Sequence, residues 1–589
     1  MSMAAIRWIS GPVLRATAHG SFFLRECVRV GPQALLGEVV RIDGDEITIQ
    51  VYEDTTGLRP GTLIEGERQP LAVRVGPALL GNIFDGLLRP LTGVDARVKA
   101  GSRPAPPARL AFRPSRRAGD TVKGGESLGE VIPAAGRALA CLVPPDIAGE
   151  IVAIAPAGDY DDTHAVATVR TADGNERGIA MSHAWPVRVP RPVARRLPTK
   201  EPLVTGQRIL DALFPVALGG KAAIPGGFGT GKTVLLEALA KGCAADVIVY
   251  LGCGERGNEM AGVLEELPEL VDPRSNRKLM ERTVIIANTS NMPVAAREAS
   301  IYSAITVSEY FRDQGLHVAL MADSTSRWAE ALREVSGRFG ELPGEGGYPA
   351  YLSSRLAEFY ERAALVETLS GSRGSVTVMG AISPPSGDFS EPVTSHTKRY
   401  VRAFWALDVK RAQARFYPAV HPLQSYSEDA AGFAPWWNDN GNTQWLELRR
   451  RFLTLLDEQS RLERMAKIIG KDALPARQQL TLACADLVNE AFLRQSAFAP
   501  KDRVAGPAKQ AAMMRLVGRF IELATQAVAA GIAPDALSRL ACLRPLARMG
   551  EEIGDDEPEK FDAVAAAVET EFHALIPAPE ARDEAAAAG

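Results

Sequence analysis

Cysteine is sparse and scattered in this chain. The six residues Cys27, Cys141, Cys243, Cys253, Cys484 and Cys542 contain no C-x-x-C pair, which argues against a zinc site or a disulfide framework and for reduced, buried thiols. A basic surplus is also missing. The formal net charge of -4 speaks against a general nucleic-acid binder but leaves room for a local basic pocket that takes phosphate. Long apolar runs are absent: no segment approaches the ~20 residues needed to span a bilayer. Met1–Pro12 has no basic stretch followed by an apolar run, so no signal peptide is expected. Any work at a membrane is expected to be done from outside it, through partners.

What is present is an ordinary globular composition, 46% hydrophobic and 23% charged, spread over 589 residues. That length exceeds one hydrophobic core, so three or four domains are expected. The first 70 residues read as β structure. Gly37–Ile42 and Glu46–Tyr52 are short alternating runs, with a hairpin signal at Asp43–Asp45 between them, and a small barrel would bury such strands. Pro104–Pro107, Gly124–Gly125 and Pro144–Pro145 punctuate short β runs such as Gly149–Ile154, as in a compact β-rich module inserted into a larger fold. From about 195 to 435, short apolar runs (Val247–Leu251, Thr283–Ala287, His317–Ala322, Ser375–Met379) alternate with helical stretches (Ala295–Phe311, Ser353–Ala363). That is the pattern of buried parallel strands in a doubly wound α/β sheet. Beyond 440 the pattern is helical, over Trp445–Ile469, Leu480–Leu493 and Met513–Ala530. The expected organisation is a barrel at 1–70, a P-loop α/β domain over 71–109 and 190–435, an inserted module at 110–189, a helical domain at 436–577 and a disordered tail at 578–589.

Chemistry concentrates in a few segments. Gly226, Gly227, Phe228, Gly229, Thr230, Gly231, Lys232 and Thr233 fit G-x-x-x-x-G-K-[ST], with Ala222–Ile224 before them as a short strand and Val234–Ala240 after them as a helix. The glycines let backbone N–H groups turn inward around phosphate at a helix N-terminus. Lys232 then neutralises the β- and γ-phosphates, and the Thr233 hydroxyl is a candidate Mg²⁺ ligand. Asp323 ends the apolar run His317–Ala322, where a metal-orienting carboxylate sits in hydrolytic P-loop proteins. Asp also caps helices, and the two roles are compatible. Glu255 follows the run Val247–Leu251 and so lies at the carboxyl edge of the sheet, where ligands bind. A glutamate there holds and polarises water, and Arg256 beside it meets phosphate oxygens. Glu259 either supports the metal's water shell or is a solvated loop charge.

Gly226–Thr233, Gly254–Met260, Ala322–Glu334 and Leu342–Tyr351, in this order, resemble the catalytic A subunit of V/A-type rotary ATPases. The resemblance runs through essentially the whole chain, and 110–189 resembles the "bulge" that separates this subunit from the F-type β subunit. It implies an N-terminal β-barrel, an inserted β-rich module, a P-loop α/β domain with a mostly parallel sheet and a C-terminal α-helical domain. It also implies ATP and ADP as ligands with Mg²⁺. Lys232 and Thr233 match the family's phosphate lysine and Mg²⁺ hydroxyl, Glu255 its catalytic glutamate, Arg256 the adjoining phosphate arginine and Asp323 its metal aspartate. Val234 continues the nucleotide-binding segment. Tyr417 and Phe498 fall where the family places rings around adenine, with core packing as the other role open to both. The stretch after Phe498, Ala499–Arg503, is less acidic than the family pattern.

The resemblance further implies three such chains alternating with three B subunits, an arginine finger from the neighbouring B subunit, contact with central-shaft and peripheral-stalk subunits, and an indirect link to a membrane sector. The charged helix Arg449–Lys467 is a candidate shaft contact or an ordinary solvated face. A peripheral place on the cytoplasmic side of a membrane and no nucleic-acid partner are expected. The implied activity is ATP hydrolysis or synthesis coupled to H⁺ or Na⁺ transport. A non-catalytic rotary subunit would show a degraded P-loop lysine or a missing glutamate, yet Lys232 and Glu255 are both present. A hexameric RNA or export motor would show a basic barrel or lack the inserted module. A pure binding module is separable from an enzyme by a change at Lys232.

Overall fold

The computed structural model describes residues 2–91, 107–272 and 275–575. Residues 578–589, expected from composition to be a disordered tail, lie outside them. The described residues fold into two compact units, and the chain passes between them several times: the first holds 2–91, 107–199, 218–225, 245–272 and 275–401, and the second holds 200–217, 226–244 and 402–575.

The first unit opens with a closed six-stranded barrel. Its strands alternate as a half-buried sheet must: in Glu46–Val51, Ile47, Ile49 and Val51 point inward, at 1% exposure or less, onto Ile6, Leu14, Val28 and Val39. The strands Leu35–Asp43 and Glu46–Val51 join through Gly44–Asp45, with Asp43 opposite Glu46 and Gly44 at φ +62°, a left-handed position that glycine adopts without strain. The segment from 109 to 180 forms two four-stranded sheets. They face each other across a core of Phe112, Val131, Cys141, Ile151 and Val169.

The sheet that carries the candidate site belongs to the same unit. Six of its strands lie side by side in the order Lys221–Pro225, Arg373–Ile382, His317–Asp323, Val247–Glu255, Thr283–Thr289 and Ile83–Phe84, each parallel to the next, and Ala364–Glu367 pairs antiparallel with Arg373–Ile382. They are longer than their apolar runs. Val247–Glu255 continues four residues past Leu251, because Gly252, Cys253 and Gly254 still pair with the strands beside them or lie buried along them. Beside this sheet lies the helix Val294–Asp313, in which every residue after Val294 is buried.

That helix carries Glu298, Glu309, Arg312 and Asp313, and buried charge is tolerated only when paired. Arg188 bridges Glu298 at 3.0 Å and the barrel's Glu38 at 3.2 Å. Arg191 meets Asp313 at 2.6 Å, and Arg362 meets Glu309 at 2.5 Å. Burial pushes the Glu309 carboxyl up, but Arg362 and Arg312 more than offset it, leaving it below the usual carboxylate range.

In the second unit, the helix Trp445–Ile469 matches its sequence pattern to the residue. The stretch Leu480–Leu493 is the helix Ala476–Leu487 widening into a π turn over Val488–Leu493. Pro507 opens the helix Pro507–Ala529, a first-turn position where its missing N–H is not needed. Arg208 ties the unit together. It donates to Phe492 O at 2.7 Å and to Arg494 O at 2.5 Å, and it pairs with the buried Asp502.

His183 gives the buried charge network a pH signature. Its Nε2 lies 3.0 Å from the Arg191 guanidinium. Burial, reinforced by the charges of Arg191 and Arg74, lowers its pKa to about 3. The folded state therefore keeps His183 neutral while the unfolded state protonates it near pH 6.5, so stability falls as pH drops from 6.5 toward 3. The loss approaches about 1.4 kcal/mol per pH unit from this group. His183→Gln is expected to flatten the decline of Tm between about pH 6.5 and 4. Parallel Tm–pH curves for both proteins would contradict the assignment.

Candidate functional site

In the first unit three parallel strands end side by side. Val247–Glu255 lies between His317–Asp323 and Thr283–Thr289, with Gly252 opposite Asp323 and Glu255 opposite Thr289. Acidic side chains thus gather at the carboxyl edge of the sheet, the edge at which such folds bind ligands. Asp323 is 2% exposed and faces the Tyr250 hydroxyl at 3.5 Å. The capping position of the next helix, Thr325–Phe339, is Ser324 and not Asp323. The Ser324 hydroxyl is buried with no hydrogen-bond partner among the described residues.

Glu255 is half-buried, and its carboxyl is pushed up to about 8. Burial is the main cause, followed by the charge of Asp323 and by a hydrogen bond and charge from Glu259, with Arg327 opposing. A carboxyl that exchanges its proton near neutral pH is matched to general-base work. Arg327, four residues past Asp323, pairs with Glu330 at 3.0 Å. Arg256 occupies the N-cap position of the helix Gly257–Glu269, with Glu259 in its first turn, and both are exposed.

Two glycines let the strand end close in this way. A side chain at Gly252 would meet Met260 Cε at 1.8 Å. Gly254 has φ +73°, and a Cβ there would lie 2.8 Å from Arg297 Cδ and 2.8 Å from Arg327 Cβ.

The phosphate loop belongs to the second unit. Gly229 and Gly231 adopt φ +76° and +82°, and Gly231 caps the helix Lys232–Gly242. That helix begins at Lys232 and contains Thr233 and Val234, so its dipole and its first free N–H groups face the loop. Within the loop, the buried Thr230 hydroxyl donates to Gly227 O at 2.8 Å. The Lys232 ammonium donates to Gly226 O at 2.7 Å and to Gly227 O at 3.0 Å. Phe228 is 85% exposed.

A mostly apolar groove opens beside the first turns of this helix. Gly231, Val234, Leu235 and Ala238 form one wall, and Leu407, Tyr417, Pro418 and Ala419 form another, with Gln207, Gln495, Ala497 and Arg503 completing it. Tyr417 is held by its carbonyl, which accepts from Gln495 N at 2.9 Å. Phe498 is 98% exposed and does not line the groove; its neighbour Ala497 does. Exposure on that scale removes core packing as its role.

Sequence reasoning missed Arg327, Gln207 and Arg503. Arg327 was within reach, because a residue four places after a strand-end carboxylate lies on the first turn of the following helix. Gln207 and Arg503 carry no local motif and are far from the loop in sequence.

Models of four families match segments of the chain. They are the ATP synthase alpha/beta family nucleotide-binding domain at 206–427, the C-terminal domain of V and A type ATP synthase at 434–537, the ATP synthase alpha/beta subunit barrel-sandwich domain at 107–188 and the ATP synthase alpha/beta family beta-barrel domain at 6–66. The chain is 47% identical over 578 residues to the V-type ATP synthase alpha chain of Halothermothrix orenii, covering 97% of this chain and 98% of that one. It is 48% identical over 577 residues to the A subunit of the A-type ATP synthase of Methanopyrus kandleri, covering 96% and 98%. Its fold is similar, with a TM-score of 0.63 at 22% identity, to the assembled ATPase EscN from the enteropathogenic E. coli type III secretion system, over 87% of this chain and 99% of that one.

The geometry at Gly254 makes a direct test. Gly254→Ala places a Cβ against Arg297 and Arg327 at a positive φ, and is expected to destabilise the protein by about 2 kcal/mol or more. Gly257→Ala, where a Cβ meets nothing within 4 Å, is the control and should leave Tm nearly unchanged. Equal Tm values for the two variants would refute the packing argument.

Proposed function

The chain belongs to the family of A subunits of V-type and A-type ATP synthases, and from that premise we propose how its residues divide the work of making and breaking ATP. It is the catalytic nucleotide-binding subunit of a multisubunit rotary ATPase, interconverting ATP and water with ADP and phosphate, coupled to movement of H⁺ or Na⁺ across a membrane. No helix among the described residues is long and apolar enough to cross a membrane, so the coupling runs through other subunits.

The observation that carries the residue assignment is Glu255, a strand-end carboxyl with its proton affinity raised to about 8 beside Asp323. In hydrolysis Glu255 orients the attacking water and accepts its proton, and in synthesis it returns that proton. Lys232 releases the carbonyls of Gly226 and Gly227 and turns its three donors to phosphate oxygens, while the N–H groups of Gly229–Val234 cradle them. Arg256 offsets charge on the phosphoryl oxygens as the bond breaks. Tyr417 supplies a flat face for the base, and Phe498 is free to lie against it from the solvent side.

The donor chemistry fits Mg²⁺. The carboxylates of Asp323 and Glu259 are hard oxygen ligands, and their negative charge, which adds to burial in raising Glu255, is what a divalent cation offsets. The orphaned Ser324 hydroxyl beside Asp323 offers a further oxygen. Among the described residues no three His, Cys, Asp or Glu side chains form a self-sufficient metal cage, in keeping with an ion that shares its ligands with phosphate and water. By the family resemblance Thr233 and Asp323 would hold it, with Glu259 ordering its water shell, and it would supply positive charge that offsets charge on the phosphates.

On the same premise the partners are three B subunits alternating with three copies of this chain, with an arginine finger from each B subunit, together with shaft and stalk subunits. A missing arginine finger is worth about 10³–10⁵ in turnover. The isolated chain is therefore expected to bind Mg-ATP and hydrolyse it very slowly, and brisk turnover by a verified monomer would contradict the shared site. In the assembled complex, Glu255→Gln should retain nucleotide binding and lower turnover by about 10²–10⁴-fold, the range of a lost general base. Activity near wild type would remove Glu255 from the chemistry.

A further inference from the structure

Gln207 stands at the groove beside the phosphate loop with half of its amide already committed. The residue is only 4% exposed. Its backbone N–H donates to the Thr205 hydroxyl at 3.2 Å, and its carbonyl accepts from Leu210 N at 3.0 Å and Asp211 N at 2.9 Å. The side-chain Nε2 donates to Arg503 O at 3.2 Å. That carbonyl is purely an acceptor, so it fixes which end of the amide is nitrogen and leaves Oε1 as the other end.

Oε1 meets no donor among the described residues, although Gln207 lines the groove and is otherwise buried. The other glutamine at the groove differs. Gln495 has both ends used: its Oε1 accepts from Arg208 N at 2.8 Å, and its Nε2 donates to Gly206 O and Asp502 O, each at 2.8 Å. The groove thus presents one rigid, unspent amide acceptor in a mostly apolar setting. An open acceptor at the wall of a mostly apolar groove favours a ligand edge carrying an N–H and disfavours one carrying a carbonyl.

We propose that Gln207 is the base-selecting residue of this site: its Oε1 accepts a hydrogen bond from the 6-amino group of adenine, favouring adenine nucleotides over purines that lack that donor. The inference rests on the nucleotide reading of the groove. It requires no new charge and no movement of the backbone, since the Arg503 carbonyl already holds the amide in orientation.

The test is equilibrium binding of three Mg-nucleotides to the full-length chain: ATP, inosine triphosphate, which carries a carbonyl at position 6, and purine riboside triphosphate, which carries no substituent there. Wild type should prefer ATP over purine riboside triphosphate by roughly tenfold, the worth of one buried hydrogen bond and its desolvated acceptor. Gln207→Met, similar in shape but without the acceptor, should bring the ATP to purine riboside triphosphate ratio close to one. Inosine triphosphate should bind wild type more weakly than ATP and lose that handicap in the variant. Structural damage alone would weaken all three nucleotides together and leave the ratios in place, and unmoved ratios overturn the proposal. Lys232→Ala separates this from the underlying reading: if it leaves ATP affinity intact, the phosphate-loop site itself fails, whatever Gln207 does.

Discussion

The first unit depends on keeping one helix, Val294–Asp313, buried along almost its whole length while it carries five charged side chains. Desolvating a single unpaired charge would outweigh much of a domain's net stability. The fold answers with arginines brought from distant parts of the chain. Arg188 and Arg191 come from the segment that follows the two four-stranded sheets of 109–180, and Arg362 from the segment before the antiparallel strand Ala364–Glu367. Because Arg188 also holds Glu38, the barrel is bound to the same helix. The pairing specifies position more than it adds stability, since each ion has one geometry that satisfies it.

The site inherits its shape from this arrangement. The Trp328 indole donates to Glu298 O at 3.1 Å, which seats the helix following Asp323 on the buried one. Arg297, from the first turns of the buried helix, donates to Ser290 O at 3.1 Å and packs where a Gly254 side chain would stand. The end of Val247–Glu255 is therefore enclosed, and burial of Glu255, with the charges of Asp323 and Glu259 close by, raises its proton affinity. The second unit solves a different problem. There, Arg208 holds chain segments far apart in sequence, and the groove residues Gln207 and Gln495 are oriented by bonds to the same segments.

Much of this was legible along the chain. The parallel strands were readable because both of their faces are buried, which leaves short apolar runs without alternation. The glycine-rich loop was readable because its glycines, Lys232 and Thr233 are contiguous and shape the turn into the helix Lys232–Gly242 through local backbone geometry. Strand ends were less legible: Val247–Glu255 continues through Gly252 and Gly254, residues that signal a break when only the sequence is in view. The charged residues of Val294–Asp313 would pass for a solvated face, since sequence spacing does not record that arginines from distant segments will neutralise them.

The sequence by itself determined the chemical groups on offer: a glycine-rich loop of the phosphate-binding pattern, and the carboxylates Glu255 and Asp323 that follow apolar strands. These follow from local backbone geometry and from residue type, which neighbours along the chain are enough to define. The tertiary structure alone decided the electrostatics and which polar groups stay open to a ligand. The raised proton affinity of Glu255, the unspent acceptor of Gln207 and the outward turn of Phe498 depend on burial and on partners brought together from far along the chain, and a low-dielectric neighbourhood exists only once the chain has folded.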